Sequence, residues 1–190
     1  MSKVIYITKK LYKLANYACL LRGKIMKNLY LIGGTVGVGK TTVCNKLKKE
    51  LNNSVFFDGD WCWDSNPQTV NDETNAMVID NIQHMLKNFI NCSVYENVIF
   101  CWVMHEQHII DRILQGLNTE NCNVKIISLI CNEPNLIARL RSDVINDIRT
   151  SNDIIYESLR RLRQYKDLNT IKIDTSNKSI EQIVNEIKKI

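Results

Sequence analysis

Between residues 33 and 42 the chain reads Gly33-Gly34-Thr35-Val36-Gly37-Val38-Gly39-Lys40-Thr41-Thr42, and Gly34 to Thr41 fit the pattern G-x-x-x-x-G-K-[ST]. The residue types state the chemistry. Glycines let a backbone wrap an anion with its N–H groups turned inward, where a Cβ would obstruct the approach. Lys40 has the reach and charge to meet the β- and γ-phosphates of a bound nucleotide. The Thr41 hydroxyl is an oxygen ligand of the kind Mg²⁺ takes. The flanks agree: Leu29-Tyr30-Leu31-Ile32 is an apolar run ahead of the loop, and Val43 to Leu51 has a helical pattern behind it. A loop between a strand and a helix receives the helix's free N–H groups and positive dipole end. A glycine-rich turn with a chance Lys-Thr has no reason to carry both flanks.

A second group lies after Ser54-Val55-Phe56-Phe57, a short apolar run that ends in Asp58-Gly59-Asp60. Two carboxylates at the carboxyl end of a strand stand where open parallel sheets bind ligands. Either can accept a proton from a hydroxyl or hold Mg²⁺ through water; Asp60 is the favoured base and Asp58 the favoured metal contact. Trp61 and Trp63 follow at once, so they flank any acceptor pocket there and can stack on a flat or sugar-like compound, or pack in the core. Asn97 to Met104 is a nearly continuous apolar run, the pattern of a central parallel strand, and His105-Glu106-Gln107-His108 stands at its end. His105 and Glu106 are substrate candidates there, while a lone histidine such as His105 or His108 also serves as a hydrogen-bonded structural residue. Arg139 and Arg141 suit neutralisation of charge on a moving phosphoryl group, because the guanidinium fork matches phosphate geometry. Arg149 and Arg160 are weaker candidates, and Arg160, Arg161 and Arg163 equally fit a solvated helix face.

The elements that must position these groups alternate. Residues 71–91 predict a long helix with a buried stripe of Ala76, Ile79, Ile82, Leu86 and Phe89. A helix through about Leu117 follows the third strand, Val124 to Cys131 reads as a fourth, and Glu133-Pro134 opens the helix carrying Arg139 and Arg141. Residues 142–152 read as a loop, Ile154 to Tyr165 as a helix, Thr170 to Asp174 as a fifth strand and Ile180 to Ile190 as a closing helix. Strand–helix alternation implies right-handed crossovers and a parallel sheet with helices on both faces, a three-layer α/β/α fold.

The 190 residues suit one domain with a full core. The net charge of +5 is misleading, because residues 1–27 carry +7 with no acid and the remainder carries −2. A domain near neutrality gives no electrostatic case for nucleic acid as partner. Residues 1–26 are read as a basic extension outside the core, with Leu11, Leu14, Ala15, Ala18 and Leu21 at helical spacing, and residues 27–190 as the domain. No stretch has the length of a membrane-spanning helix, so no membrane partner is expected. Seven cysteines without metal-ligand spacing argue against structural zinc and suit free thiols in a reducing cytoplasm. Nothing in the pattern specifies an oligomeric state.

On these residues the chain resembles the small P-loop kinases related to nucleoside monophosphate kinases, a group that includes gluconate, shikimate and adenylylsulfate kinases and some antibiotic phosphotransferases. The resemblance spans about residues 27–190 and rests on Gly33–Thr42, Asp58-Gly59-Asp60, the Arg139/Arg141 region and Ile173-Asp174-Thr175-Ser176, in that order. It implies a five-stranded parallel sheet, ATP as phosphoryl donor, Mg²⁺ and a short arginine-bearing lid. It also implies that Asp174 and Ser176 belong to the loop that meets the adenine. The third strand departs from the wider pattern: no Asp ends it, so Glu106 or Asp58 must supply the second acidic Mg²⁺ contact.

The function expected is transfer of the γ-phosphoryl group of Mg-ATP to a small-molecule acceptor at a hydroxyl. Phosphorylation of a nucleoside monophosphate is the alternative. It calls for more arginines near the second strand, and residues 54–96 contain none. A nucleotide-dependent switch with conformational output is the alternative of another class.

Overall fold

The computed structural model describes residues 26–146 and 153–190; residues 1–25 of the basic extension and Arg149 lie outside the described residues. Five strands form one parallel sheet: β1 Lys27–Gly33, β2 Ser54–Asp58, β3 Asn97–Trp102, β4 Cys122–Ile130 and β5 Ile171–Asp174. Their order is β2-β3-β1-β4-β5, with β1 central. Seven-residue β1 shows why the sequence looked uniformly apolar there. Leu29 and Leu31 turn to one face and Tyr30 and Ile32 to the other, and all four are buried.

The helices are α1 Lys40–Glu50, α2 Asp72–Asn91, α3 Gln107–Gln115, α4 Glu133–Ile145, α5 Asp153–Gln164 and α6 Ile180–Lys188. The face of Tyr30 and Ile32 packs Val43, Cys44 and Leu47 of α1, Leu136 and Leu140 of α4 and Val184 and Ile187 of α6. The opposite face packs Val78, Ile82 and Leu86 of α2 with Ile110 and Ile113 of α3. A sheet covered on both sides by helices is the three-layer α/β/α arrangement of the P-loop fold.

Several expected boundaries shift. The buried stripe of α2 is Val78, Ile79, Ile82 and Leu86; Ala76 is exposed and Phe89 only half-buried. The helix starts at a capping box between Asn71 and Thr74, and Ala76 falls on its exposed face, bordering a shallow cleft with Arg112 and Gly116. Residues 142–145 continue α4 rather than forming a loop, because Ser142 O accepts the Asn146 backbone N–H at 3.1 Å. β3 ends at Trp102 and α6 at Lys188. Cys44, Cys62, Cys92, Cys101, Cys122 and Cys131 are free thiols. Among the described residues no helix is long and apolar enough to cross a membrane.

The revised phase of α2 is testable by urea unfolding. Ile82→Ala should cost about 2–5 kcal/mol, as for other buried aliphatic truncations. Ala76→Gln, at an exposed helical site, should stay within about 0.5 kcal/mol of the parent. Equal costs at the two positions would contradict the packing described.

Candidate active site

The loop between β1 and α1 is built to leave donors unused. Gly39 caps α1 with φ 104°, a left-handed conformation that favours glycine. No side chain bonds the N-terminus of α1 and no acidic residue occupies its first turn. The first N–H groups of a helix lack intrahelical acceptors, so this end is suited to an anion. Val36 to Thr42 line a cavity of about 440 Å³ beside it, with Gly34 and Thr35 buried beneath.

Three contacts fix the loop from outside. Thr35 Oγ1 donates to Ser158 O of α5 at 3.0 Å. Arg139 of α4 donates through Nη1 to Val38 O at 3.1 Å and to Thr175 Oγ1 at 3.1 Å, and through Nη2 to Thr175 O at 2.8 Å. Thr41 Oγ1 donates to Asp58 Oδ2 at 2.9 Å. Lys40 Nζ lies back on the loop, donating to Thr35 O at 3.2 Å. Burial lowers the pKa of Lys40, and the Asp60 and Asp58 carboxylates work against that shift.

Asp58 closes β2, the strand paired with β3. The β2–β3 register sets it opposite Cys101, next to the end of β3. Its Oδ2 accepts from Thr41 and from Cys101 Sγ at 3.3 Å, and its Oδ1 accepts the Asp60 backbone N–H at 3.2 Å. A hydrogen bond with Cys44 and burial raise the Cys101 pKa, so that thiol stays protonated and can donate. A hydroxyl and a carboxylate in contact form a hard oxygen donor pair that fits Mg²⁺, which takes one or two protein oxygens and fills its shell with phosphate and water. Among the described residues no cluster of three His, Cys, Asp or Glu side chains forms a closed metal cage.

Beyond the loop lies a second cavity of about 1060 Å³. Asp60, Trp61, Trp63, His105, Glu106 and His108 all line it, so the sequence candidates for the acceptor side converge. His105 Nε2 lies 3.6 Å from Glu106 Oε1 and His108 Nδ1 3.2 Å from Glu106 Oε2. Burial, then the Arg161 charge, lowers the His105 pKa.

Other candidates fall elsewhere. Arg141 is exposed and lines neither cavity. Arg160 pairs with Glu157 at 2.9 Å, away from both linings. Asp174 accepts from Ser176 N at 2.8 Å and Ser176 Oγ at 2.6 Å, which hold its pKa below the usual carboxylate range. Neither residue lines the nucleotide cavity; Thr175 and Lys178 of the same turn do.

Sequence reasoning passed over Trp102 and Arg112 and fitted Arg161 to a solvated helix face; all three line the larger cavity. Arg161 had a readable signal: Ser158, Leu162 and Tyr165 are the buried stripe of α5 and its end, and Arg161 is three residues after Ser158 on that side. Its Nε is buried without a hydrogen-bond acceptor, 3.6 Å from Glu157 Oε2. Trp102 Nε1 donates to Asp60 Oδ1 at 3.1 Å, and a Cβ on Gly59 would stand 2.6 Å from Trp102 Cγ. Only glycine permits that approach.

The Arg139 contacts generate a comparison by calorimetry with a non-hydrolysable ATP analogue. Arg139→Ala should weaken binding by about tenfold or more, since charged hydrogen bonds contribute about 1.5–3 kcal/mol. Arg141→Ala should change it by less than about twofold; the reverse order would contradict the placement.

The family AAA_18, described as an AAA domain, matches residues 31–171. The shikimate kinase of Bacillus mycoides (strain KBAB4) is 30% identical over 169 residues, covering 86% of this chain and 97% of that protein. A gluconokinase from Sinorhizobium meliloti 1021 superposes with TM-score 0.63 at 15% identity, over 85% of this chain and 90% of that one. The Deinococcus radiodurans tunicamycin resistance protein superposes with TM-score 0.62 at 20% identity, over 86% and 94%. The two superpositions show a shared fold, and the chain belongs to the AAA-domain family and to the small P-loop kinases that include shikimate kinase.

Proposed function

We propose that this small-molecule kinase transfers the γ-phosphoryl group of Mg-ATP to a hydroxyl of an acceptor held in the larger cavity, with Asp60 as general base. One observation carries the reading: Asp60 is the titratable side chain common to the linings of both cavities. A base between donor and acceptor can take the hydroxyl proton as that oxygen bonds to Pγ and the bond from Pγ to the β–γ bridging oxygen breaks, releasing ADP.

Each neighbouring group has a role in that arrangement. The amides of Val36 to Thr42 receive the phosphates, and Lys40 leaves Thr35 O to meet them. Arg139 braces the loop from the Thr175 side, which places it with the nucleotide rather than the acceptor. Thr41 and Asp58 would hold Mg²⁺, which when bound supplies charge neutralisation between β- and γ-oxygens. Arg161 and His105 would receive an anionic substituent of the acceptor.

The missing arginines of residues 54–96 discriminate less than the sequence suggested, because Arg112 of α3 and Arg161 of α5 reach the acceptor cavity from later segments. That observation keeps nucleoside monophosphates as the second reading. ADP release from ATP with shikimate, gluconate and nucleoside monophosphates as separate acceptors distinguishes the two. With whichever acceptor supports turnover, Asp60→Asn should lower kcat by about 100-fold or more while leaving ATP affinity near the parent value. Parent-level turnover in that variant would remove Asp60 from the chemistry.

A further inference from the structure

The chain contains three tryptophans, and all three line the acceptor cavity. Trp61 is supplied by the 3-10 turn after β2, Trp63 by the residue that ends that turn, and Trp102 by the end of β3. Trp63 and Trp102 are half-buried and pack in part against the core, whereas Trp61 stands open. Trp61 is 65% exposed, touching Phe56 and Phe57 only edge-on at centroid distances of 5.6 and 6.2 Å. Val70 on the same lining is 68% exposed. Large apolar surfaces left open at a cavity rim mark a place where a ligand completes the burial.

Beside its carboxylates and arginines, the lining carries His105, His108, Gln68 and Asn75. The Trp63 and Trp102 indole N–H groups are already committed, to Ser65 Oγ at 3.0 Å and Asp60 Oδ1 at 3.1 Å. A flat ring needs a π-face, and exposed Trp61 offers one on this lining. The Trp102–Asp60 bond also makes the ring platform and the base one unit, so a ring on the indoles carries its attached hydroxyl to the carboxylate.

Resting on the phosphotransfer reading above, we infer that the acceptor is an aromatic-ring alcohol with an anionic substituent, its ring against the indoles and its anion towards Arg161. Two sources share that chemistry, a benzylic alcohol carboxylate and a nucleotide with a free hydroxyl.

The test is calorimetry on the full chain with Mg²⁺ and a saturating non-hydrolysable ATP analogue. The probes are 4-(hydroxymethyl)benzoate, uridine 3′-monophosphate and gluconate. At least one ring probe should bind about tenfold or more tightly than gluconate, since stacking a ring on an aromatic side chain is a contribution of that size. Which ring probe it is separates the two sources. Trp61→Ala should cost that probe about tenfold, and Trp61→Phe should restore most of it. Gluconate binding as tightly as both ring probes, no ring binding despite an intact nucleotide titration, or unchanged ring affinity in Trp61→Ala would each overturn the inference. Ring binding lost in Trp61→Ala but without ADP release from ATP would sustain the ring inference and remove the phosphotransfer reading.

Discussion

The Thr41–Asp58 hydrogen bond, 2.9 Å long, joins the first turn of α1 to the end of β2, and the active region depends on it. It places a carboxylate beside a helix end that has no acceptor of its own. An unoccupied set of N–H donors is stable only where solvent or a ligand serves it, and an acid built into that turn would compete with phosphate. Asp58 stays on the strand, held by a protonated thiol and a backbone amide, so it stands near the anion site without filling it. The loop itself is braced by Thr35 on Ser158 and by Arg139 on Val38, from α5 and α4. Those braces leave the amides fixed before any ligand arrives, which is how electrostatic preorganisation lowers a barrier.

From that fixed end the chain builds outward in two directions. The smaller cavity runs along the loop towards Thr175, and the larger opens past Asp60 between β2 and β3. On the proposed reading, donor and acceptor would approach Asp60, which lines both cavities, from two sides, and the reaction would become a matter of positioning. Family membership explains the first cavity better than the second. The shikimate kinase, the gluconokinase and the tunicamycin resistance protein are named for different compounds and share one fold with this chain. On the proposed reading, acceptor choice would lie in side chains such as Trp61, Trp102 and Arg161 rather than in the fold.

What the sequence made legible was local. Strand, glycine loop, Lys-Thr and helix stand within one contiguous stretch, and their order alone specifies the cradle. Asp58-Gly59-Asp60 was equally readable because both acids sit at one strand end. Arg161 was obscured because Arg160 and Arg163 surround it, and only the phase of α5 turns one of the three inward. Ala76 failed for a different reason: its spacing fitted the stripe, but the buried face of α2 begins at Val78 and Ile79 and leaves Ala76 exposed. Asp174 and Ser176 illustrate a third limit. Their polar turn chemistry is satisfied internally, and the residue between them, Thr175, is the one that meets Arg139.

The account is tested most directly by the Mg²⁺ dependence of binding for a non-hydrolysable ATP analogue, measured by calorimetry in the parent protein and in Asp58→Asn. Mg²⁺ should tighten binding in the parent, whereas the variant should keep its Mg²⁺-free affinity and lose most of the enhancement. An equal enhancement in both proteins would contradict the pairing of Thr41 and Asp58 as the metal-facing edge of the nucleotide site.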